Sequence, residues 1–171
     1  LRSIIKNSRD YNFPINVNLI ISSNKNAKGI YFAKKFAIPH IVLDTDKKKF
    51  EQIAIKELLN RKIELLCLAG FMKVLSKNFI RNFKGKIINI HPSLLPKYKG
   101  LNTFKRVLNA GDKITGCTVH FVDEKLDNGT IIIKKRILVD KKDDFKELKK
   151  KVQSEEYKAY SIAIRKIYNL N

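Results

Sequence analysis

The chain has 171 residues, 36 basic against 16 acidic side chains, a formal net charge of +20 and an apolar fraction of 44%, which suffices for one domain with a real core. The charge does not by itself indicate nucleic acid: 29 of the basic residues are lysines and only 7 are arginines, the pattern of an AT-rich coding sequence, whereas base and phosphate readout favours the planar arginine fork. The lysines are scattered in small groups such as Lys47 to Lys49 and Lys149 to Lys151, no segment has transmembrane length, and Leu1-Arg2-Ser3 is no signal peptide. Neither nucleic acid nor membrane is therefore the expected partner, and the cytoplasm is the expected compartment.

In chain order, apolar runs at Val17 to Ser22, Ile38 to Leu43, Ile63 to Ala69 and Ile87 to Ile90 predict strands. They alternate with predicted helices around Gly29 to Phe36, Lys47 to Arg61 and Ser76 to Phe83. Such alternation predicts a parallel sheet covered by helices on both faces. Thr103 to Ala110 then reads as a helix closed by Gly111, Cys117 to Val122 as a strand, Asp127-Asn128-Gly129 as a turn and Thr130 to Val139 as further strand. In the last helix Phe145, Leu148, Val152, Ala159, Ala163 and Ile167 recur at three- and four-residue steps, and Glu156 completes the stripe. An acid on an apolar face sits either at its rim or against a polar cavity, and the pattern leaves both open. Cys67 and Cys117 lie in apolar runs without metal or disulfide spacing, which predicts reduced core thiols.

The segment Asn89-Ile90-His91-Pro92-Ser93-Leu94-Leu95-Pro96 and the later Leu126-Asp127-Asn128-Gly129 supply an amide, an imidazole and a carboxylate. Such a trio suits acyl transfer. Asn89 and His91 are two residues apart at a strand end, so an extended backbone puts both side chains on one side, where ligands of open α/β sheets bind. His40 follows Pro39 at a strand start and reads as structural. Strand alternation groups Thr118, His120 and Val122 on one face, with His120 either supporting the site or filling space. Aspartate before a glycine turn also has a purely conformational explanation, and the proline-rich stretch through Lys97-Tyr98-Lys99-Gly100 reads equally well as a rigid surface loop.

These residues resemble the phosphoribosylglycinamide formyltransferases, folate-dependent enzymes of purine synthesis. The resemblance covers nearly the whole chain. It rests on Ser23-Asn24-Lys25, the segment Leu68 to Ser76, the segment Ile88 to Gly100, Gly116 to Gly129 and Val152-Gln153-Ser154-Glu155-Glu156. It implies an α/β formyltransferase fold with a mixed, mostly parallel sheet, in a single domain over residues 1–171. It also implies transfer of a formyl group from the co-substrate 10-formyltetrahydrofolate to the amine of glycinamide ribonucleotide, without a metal. By the same resemblance Asn89, His91 and Asp127 are the catalytic trio, Thr118 and His120 support it, and Glu156 contacts the ribonucleotide. Met72, Lys73, Val74 and Leu75 border the folate, with Ile80, Ile87 and Val122 as apolar wall candidates. Lys73 stands where the family frequently has arginine, so a point charge replaces a bidentate fork.

The family begins with a strand and a Gly-x-Gly-Ser-Asn loop that cradles a phosphate at a helix N-terminus. Leu1 to Asn7 matches the first helix, so the expectation is a sheet apparently lacking its first strand, an N-terminally incomplete domain with no assignable phosphate-binding residues and negligible activity by itself. Three other readings compete: a formyltetrahydrofolate deformylase, which passes the formyl group to water; a methionyl-tRNA formyltransferase domain; and a non-catalytic basic binding module on the same scaffold. His91-Pro92-Ser93 favours the transferase over the deformylase, and a homodimer is compatible with the resemblance.

Overall fold

The computed structural model describes residues 1–169. In chain order the elements are α1 (Arg2–Asn7), β1 (Ile20–Ser22), α2 (Lys28–Lys35), β2 (His40–Val42), α3 (Lys47–Asn60), β3 (Leu65–Leu68), α4 (Lys77–Asn82), β4 (Lys86–His91), α5 (Thr103–Asn109), β5 (Ile114–Phe121), β6 (Ile131–Leu138) and α6 (Phe145–Ile167). Every predicted strand and helix has a counterpart, most of them shorter than the apolar run that announced them. The chain forms two compact units, one of Leu1–Leu66 with Met72–Lys86, the other of Cys67–Phe71 with the chain from Ile87 onward.

In the first unit β1 and β2 pair in parallel, Ile20 opposite His40 and Ser22 opposite Val42. A parallel pair needs a crossover, which α2 supplies. Its Ile30 and Ala33 close a core with Ile5, Ile20 and Ile38. The Asp46 carboxylate caps α3 by accepting from the Lys49 N–H at 3.0 Å, and Phe50, Ala54 and Leu58 form its buried stripe. Ser76 caps α4 by accepting from the Phe79 N–H, and is itself fixed by Glu51, whose Oε1 accepts from the Ser76 N–H at 2.8 Å. Between them, Leu75 is buried whereas Met72 and Val74 are 75% and 56% exposed, and Lys73 Nζ lies 5.4 Å from the centroid of the Phe50 ring.

The four-stranded sheet runs in the order β3-β4-β5-β6. Both ladders of β5 are antiparallel, so together with the β1–β2 pair the strands are mixed in direction. The short connection after Phe121 dictates this for β5 and β6, because only an antiparallel pair can be joined without a crossover. Gly129 is obligatory there: a Cβ at that position would sit 1.9 Å from the Phe121 carbonyl oxygen. Helix α6 opens with a capping box between Asp144 and Glu147 and packs along β5 and β6. Its buried side chains are Leu148, Val152, Ala159, Tyr160, Ala163 and Ile164. The predicted stripe is therefore right at its centre and displaced at its ends: Phe145 is 41% exposed and stacks edge-on against Phe104, and Ile167 is half-buried.

Candidate active site

The β4–β5 ladder builds the site. Its register sets Asn89 opposite His120 and His91 opposite Thr118; since alternate residues share a face, all four side chains project on one side of the sheet. Asp127 comes from the loop between β5 and β6, in the left-handed conformation (φ 46°) that aspartate tolerates better than most residues. It is buried at 8% exposure, as are His91 at 5% and His120 at 2%.

Asp127 lies between the two imidazoles. Its Oδ2 is 3.3 Å from His91 Nδ1 and its Oδ1 is 3.8 Å from His120 Nε2. On the far side of the His91 ring, Nε2 faces the Tyr98 carbonyl at 2.8 Å. A carbonyl only accepts, so Nε2 carries the hydrogen of this contact, and the Asp127 carboxylate lies against Nδ1 on the other side of the ring. His120 is the opposite case. Its Nδ1 donates to the Phe121 carbonyl at 2.7 Å, leaving Nε2 as an acceptor for the Asn89 amide Nδ2 at 3.4 Å. Burial holds the His120 pKa below its ordinary value, which keeps this ring neutral and able to accept. One Asn89 N–H is thereby turned towards His120, and the second remains to be donated elsewhere.

Thr118 is fully buried. Its hydroxyl donates to the Ser93 carbonyl at 2.7 Å and accepts from the Leu95 N–H at 3.1 Å, so it supports the site by fastening the chain that follows His91. Val122 is half-buried, its N–H bonded to the Ile87 carbonyl at 2.9 Å. Glu156, on α6, is half-buried with no hydrogen bond or ion pair among the described residues. Burial pushes its pKa up to about 7.

The structure thus brings Asn89, His91, Thr118, His120 and Asp127 into one cluster. Met72, Lys73, Val74 and Leu75 belong to the first unit, as described above. His40 stands apart in β2, with Nδ1 near the Ile38 carbonyl. Sequence reasoning missed two backbone groups, the Tyr98 carbonyl on His91 and the Gly100 N–H, which donates to Asp127 Oδ2 at 2.8 Å. The glycine, at φ 78°, was the one available signal. Burial pushes both the Cys67 and the Cys117 thiols up to about 12, as core thiols require. Among the described residues no group of three or more His, Cys, Asp and Glu could hold a metal, and no helix is long and apolar enough to cross a membrane.

A buried carboxylate–imidazole pair beside an oriented amide, at the end of a strand in an α/β sheet, defines a protein equipped for acyl-group chemistry. Residues 1–164 match the formyl transferase family, and the chain belongs to that family. It is 36% identical to the phosphoribosylglycinamide formyltransferase of Haemophilus influenzae, over 96% of this chain and 80% of that protein. It is 37% identical to the chicken trifunctional purine biosynthetic protein adenosine-3, over 96% of this chain but only 17% of that much longer protein. The crystal structure of phosphoribosylglycinamide formyltransferase from Bacillus halodurans superposes with a TM-score of 0.91 at 31% identity, covering 97% of this chain and 88% of that one.

Proposed function

We propose that this protein transfers a formyl group from 10-formyltetrahydrofolate to the amine of glycinamide ribonucleotide in de novo purine biosynthesis. The observation that carries the reading is the convergence of Asn89, His91 and Asp127 at the end of β4 in a chain of the formyl transferase family. The name of the Haemophilus influenzae relative carries the acceptor, phosphoribosylglycinamide, and the formyl group; the folate donor is the co-substrate that the family resemblance implies.

In this reaction the ribonucleotide amine attacks the formyl carbon, and the tetrahedral intermediate collapses with cleavage of the bond to the folate nitrogen. The amine loses one proton and the folate nitrogen gains one. The nucleophile is the substrate itself, so the protein's work is to orient two molecules and stabilise the oxyanion. Asn89 donates its uncommitted amide N–H to that oxygen. His91 donates its Nε2–H to the same oxygen, which takes over from the Tyr98 carbonyl, and the ring relays the proton lost by the amine to the leaving nitrogen. Asp127, against Nδ1, keeps the ring oriented. Glu156 receives the ribonucleotide: a half-buried acid fits a ligand with several donor groups. Val122, half-buried with its N–H on the Ile87 carbonyl, is an apolar contact for the folate.

The test is turnover of 10-formyltetrahydrofolate by the full-length protein, with and without glycinamide ribonucleotide. Formyl transfer only in the presence of the ribonucleotide supports the reading; equal turnover in its absence identifies a hydrolase and overturns it.

A further inference from the structure

The chain between His91 and α5 touches the catalytic pair twice, through the Tyr98 carbonyl on His91 Nε2 and the Gly100 N–H on Asp127 Oδ2. Both contacts come from backbone in an uncommon conformation: Tyr98 has φ 57° and Gly100 φ 78°, followed by Asn102 at φ 58°. A tyrosine in the left-handed region is strained by roughly 1–2 kcal/mol and persists only where its surroundings hold it.

Those surroundings are Asp112, beyond the C-terminus of α5, and Arg106, within it. Asp112 accepts from Tyr98 Oη at 2.8 Å and from Lys97 Nζ at 2.7 and 2.8 Å. Arg106 donates to the Lys99 carbonyl at 2.7 Å, and its guanidinium carbon lies 5.1 Å from the centroid of the Tyr98 ring, as does Lys97 Nζ. The ring and the tip of one side chain are thus engaged by Lys97, Arg106 and Asp112, three residues outside the His91–Asp127 pair. Asp112 is the centre of the group, with its carboxyl below the ordinary range because Lys97 and Tyr98 both donate to it.

We infer that Asp112, acting through Tyr98 with Arg106, is a positioning residue that holds the 97–100 backbone in place so that a carbonyl faces His91 and an N–H faces Asp127. For activity the inference rests on the function proposed above; for the placement of the 97–100 backbone it does not. Withdrawing that backbone takes away the carbonyl that faces His91 Nε2 and the N–H that orients the Asp127 carboxylate.

The experiment follows the His91 ring and Gly100 amide resonances by NMR at one fixed pH in the wild type, Asp112→Ala, Asp112→Glu and Tyr98→Phe, with thermal melts as a control for folding and kcat and KM measured in parallel. Loss of the Asp112–Tyr98 hydrogen bond in Asp112→Ala is expected to move both resonances and to lower kcat by roughly tenfold, the size of one charge-assisted hydrogen bond. Tyr98→Phe gives a smaller change, Asp112→Glu restores part of it, and kcat falls by more than either KM rises. A lower melting temperature with both resonances unmoved would make Asp112 a structural residue only and overturn the inference. Unmoved resonances without any change in melting would overturn it as well. Moved resonances in a protein that transfers no formyl group would leave the inference standing and count against the proposed activity alone.

Discussion

Replacing Glu156 by Gln removes a charge that α6 holds in a half-buried position. Burial raises the Glu156 pKa from 4.5 to about 7, so the folded protein binds this proton more tightly than the unfolded chain does. The sign follows directly: below about pH 4.5 the group is neutral in both states and costs nothing, stability declines as pH rises from there to 7, and above pH 7 the full penalty is present. The shift of 7 − 4.5, about 2.5 units, corresponds at 1.36 kcal/mol per unit to at most about 3 kcal/mol. Solvent screening at a half-buried site reduces this to on the order of 1–2 kcal/mol. Urea unfolding of wild type and Glu156→Gln at pH 4.5, 6, 7 and 8 measures it. The glutamine variant is expected to gain stability over wild type progressively between pH 4.5 and 7, reaching a rise in melting temperature of about 2–8 °C at pH 8. Ribonucleotide binding should weaken at the same time, and folate binding should not. A constant difference between the two proteins at every pH, or a glutamine variant less stable at pH 8, would refute the claim that the carboxylate is kept at a cost to folding.

Three further substitutions probe the cluster. His91→Ala should lower turnover by roughly 100-fold or more with the fold intact by circular dichroism; near-normal turnover would remove it from the chemistry. Asp127→Asn preserves shape but deletes the carboxylate charge beside His91 Nδ1, so kcat should fall by roughly tenfold or more with little change in melting temperature, and a normal rate would uncouple the pair. Thr118→Val strands the buried Leu95 N–H without its acceptor and should cost about 1–3 kcal/mol in denaturant unfolding; a loss within experimental error would mean that the loop after His91 is held by its other contacts.

The elements could be read from period and punctuation because apolar runs of strand length and capped amphipathic stretches are local signals. The same period placed Asn89 with His91 and Thr118 with His120, and the ladder register then joined the two pairs. What spacing could not supply was the reach of Asp127, which depends on a left-handed turn 36 residues beyond His91. Only the family resemblance joined them in advance. β5 begins at Ile114, earlier than the apolar run suggested, because Thr115 and Gly116 carry no hydrophobic signal even though the sheet buries them. Tyr160 escaped the stripe because its value is polar as well as apolar: its hydroxyl donates to the Leu68 carbonyl at 2.8 Å and lies 3.2 Å from that of Ile88. The Tyr98 and Gly100 backbone contacts were invisible for a related reason, since a main-chain carbonyl or N–H leaves no mark in the identity of its residue.

The proposed activity is tested most directly by following the formyl carbon itself. The purified full-length protein is given 10-formyltetrahydrofolate labelled with carbon-13 in the formyl group, together with glycinamide ribonucleotide, and the products are examined by NMR. The label is expected in a new amide on the ribonucleotide nitrogen, at a rate that collapses in His91→Ala. Label recovered as free formate, with the ribonucleotide unchanged, would contradict the proposed activity.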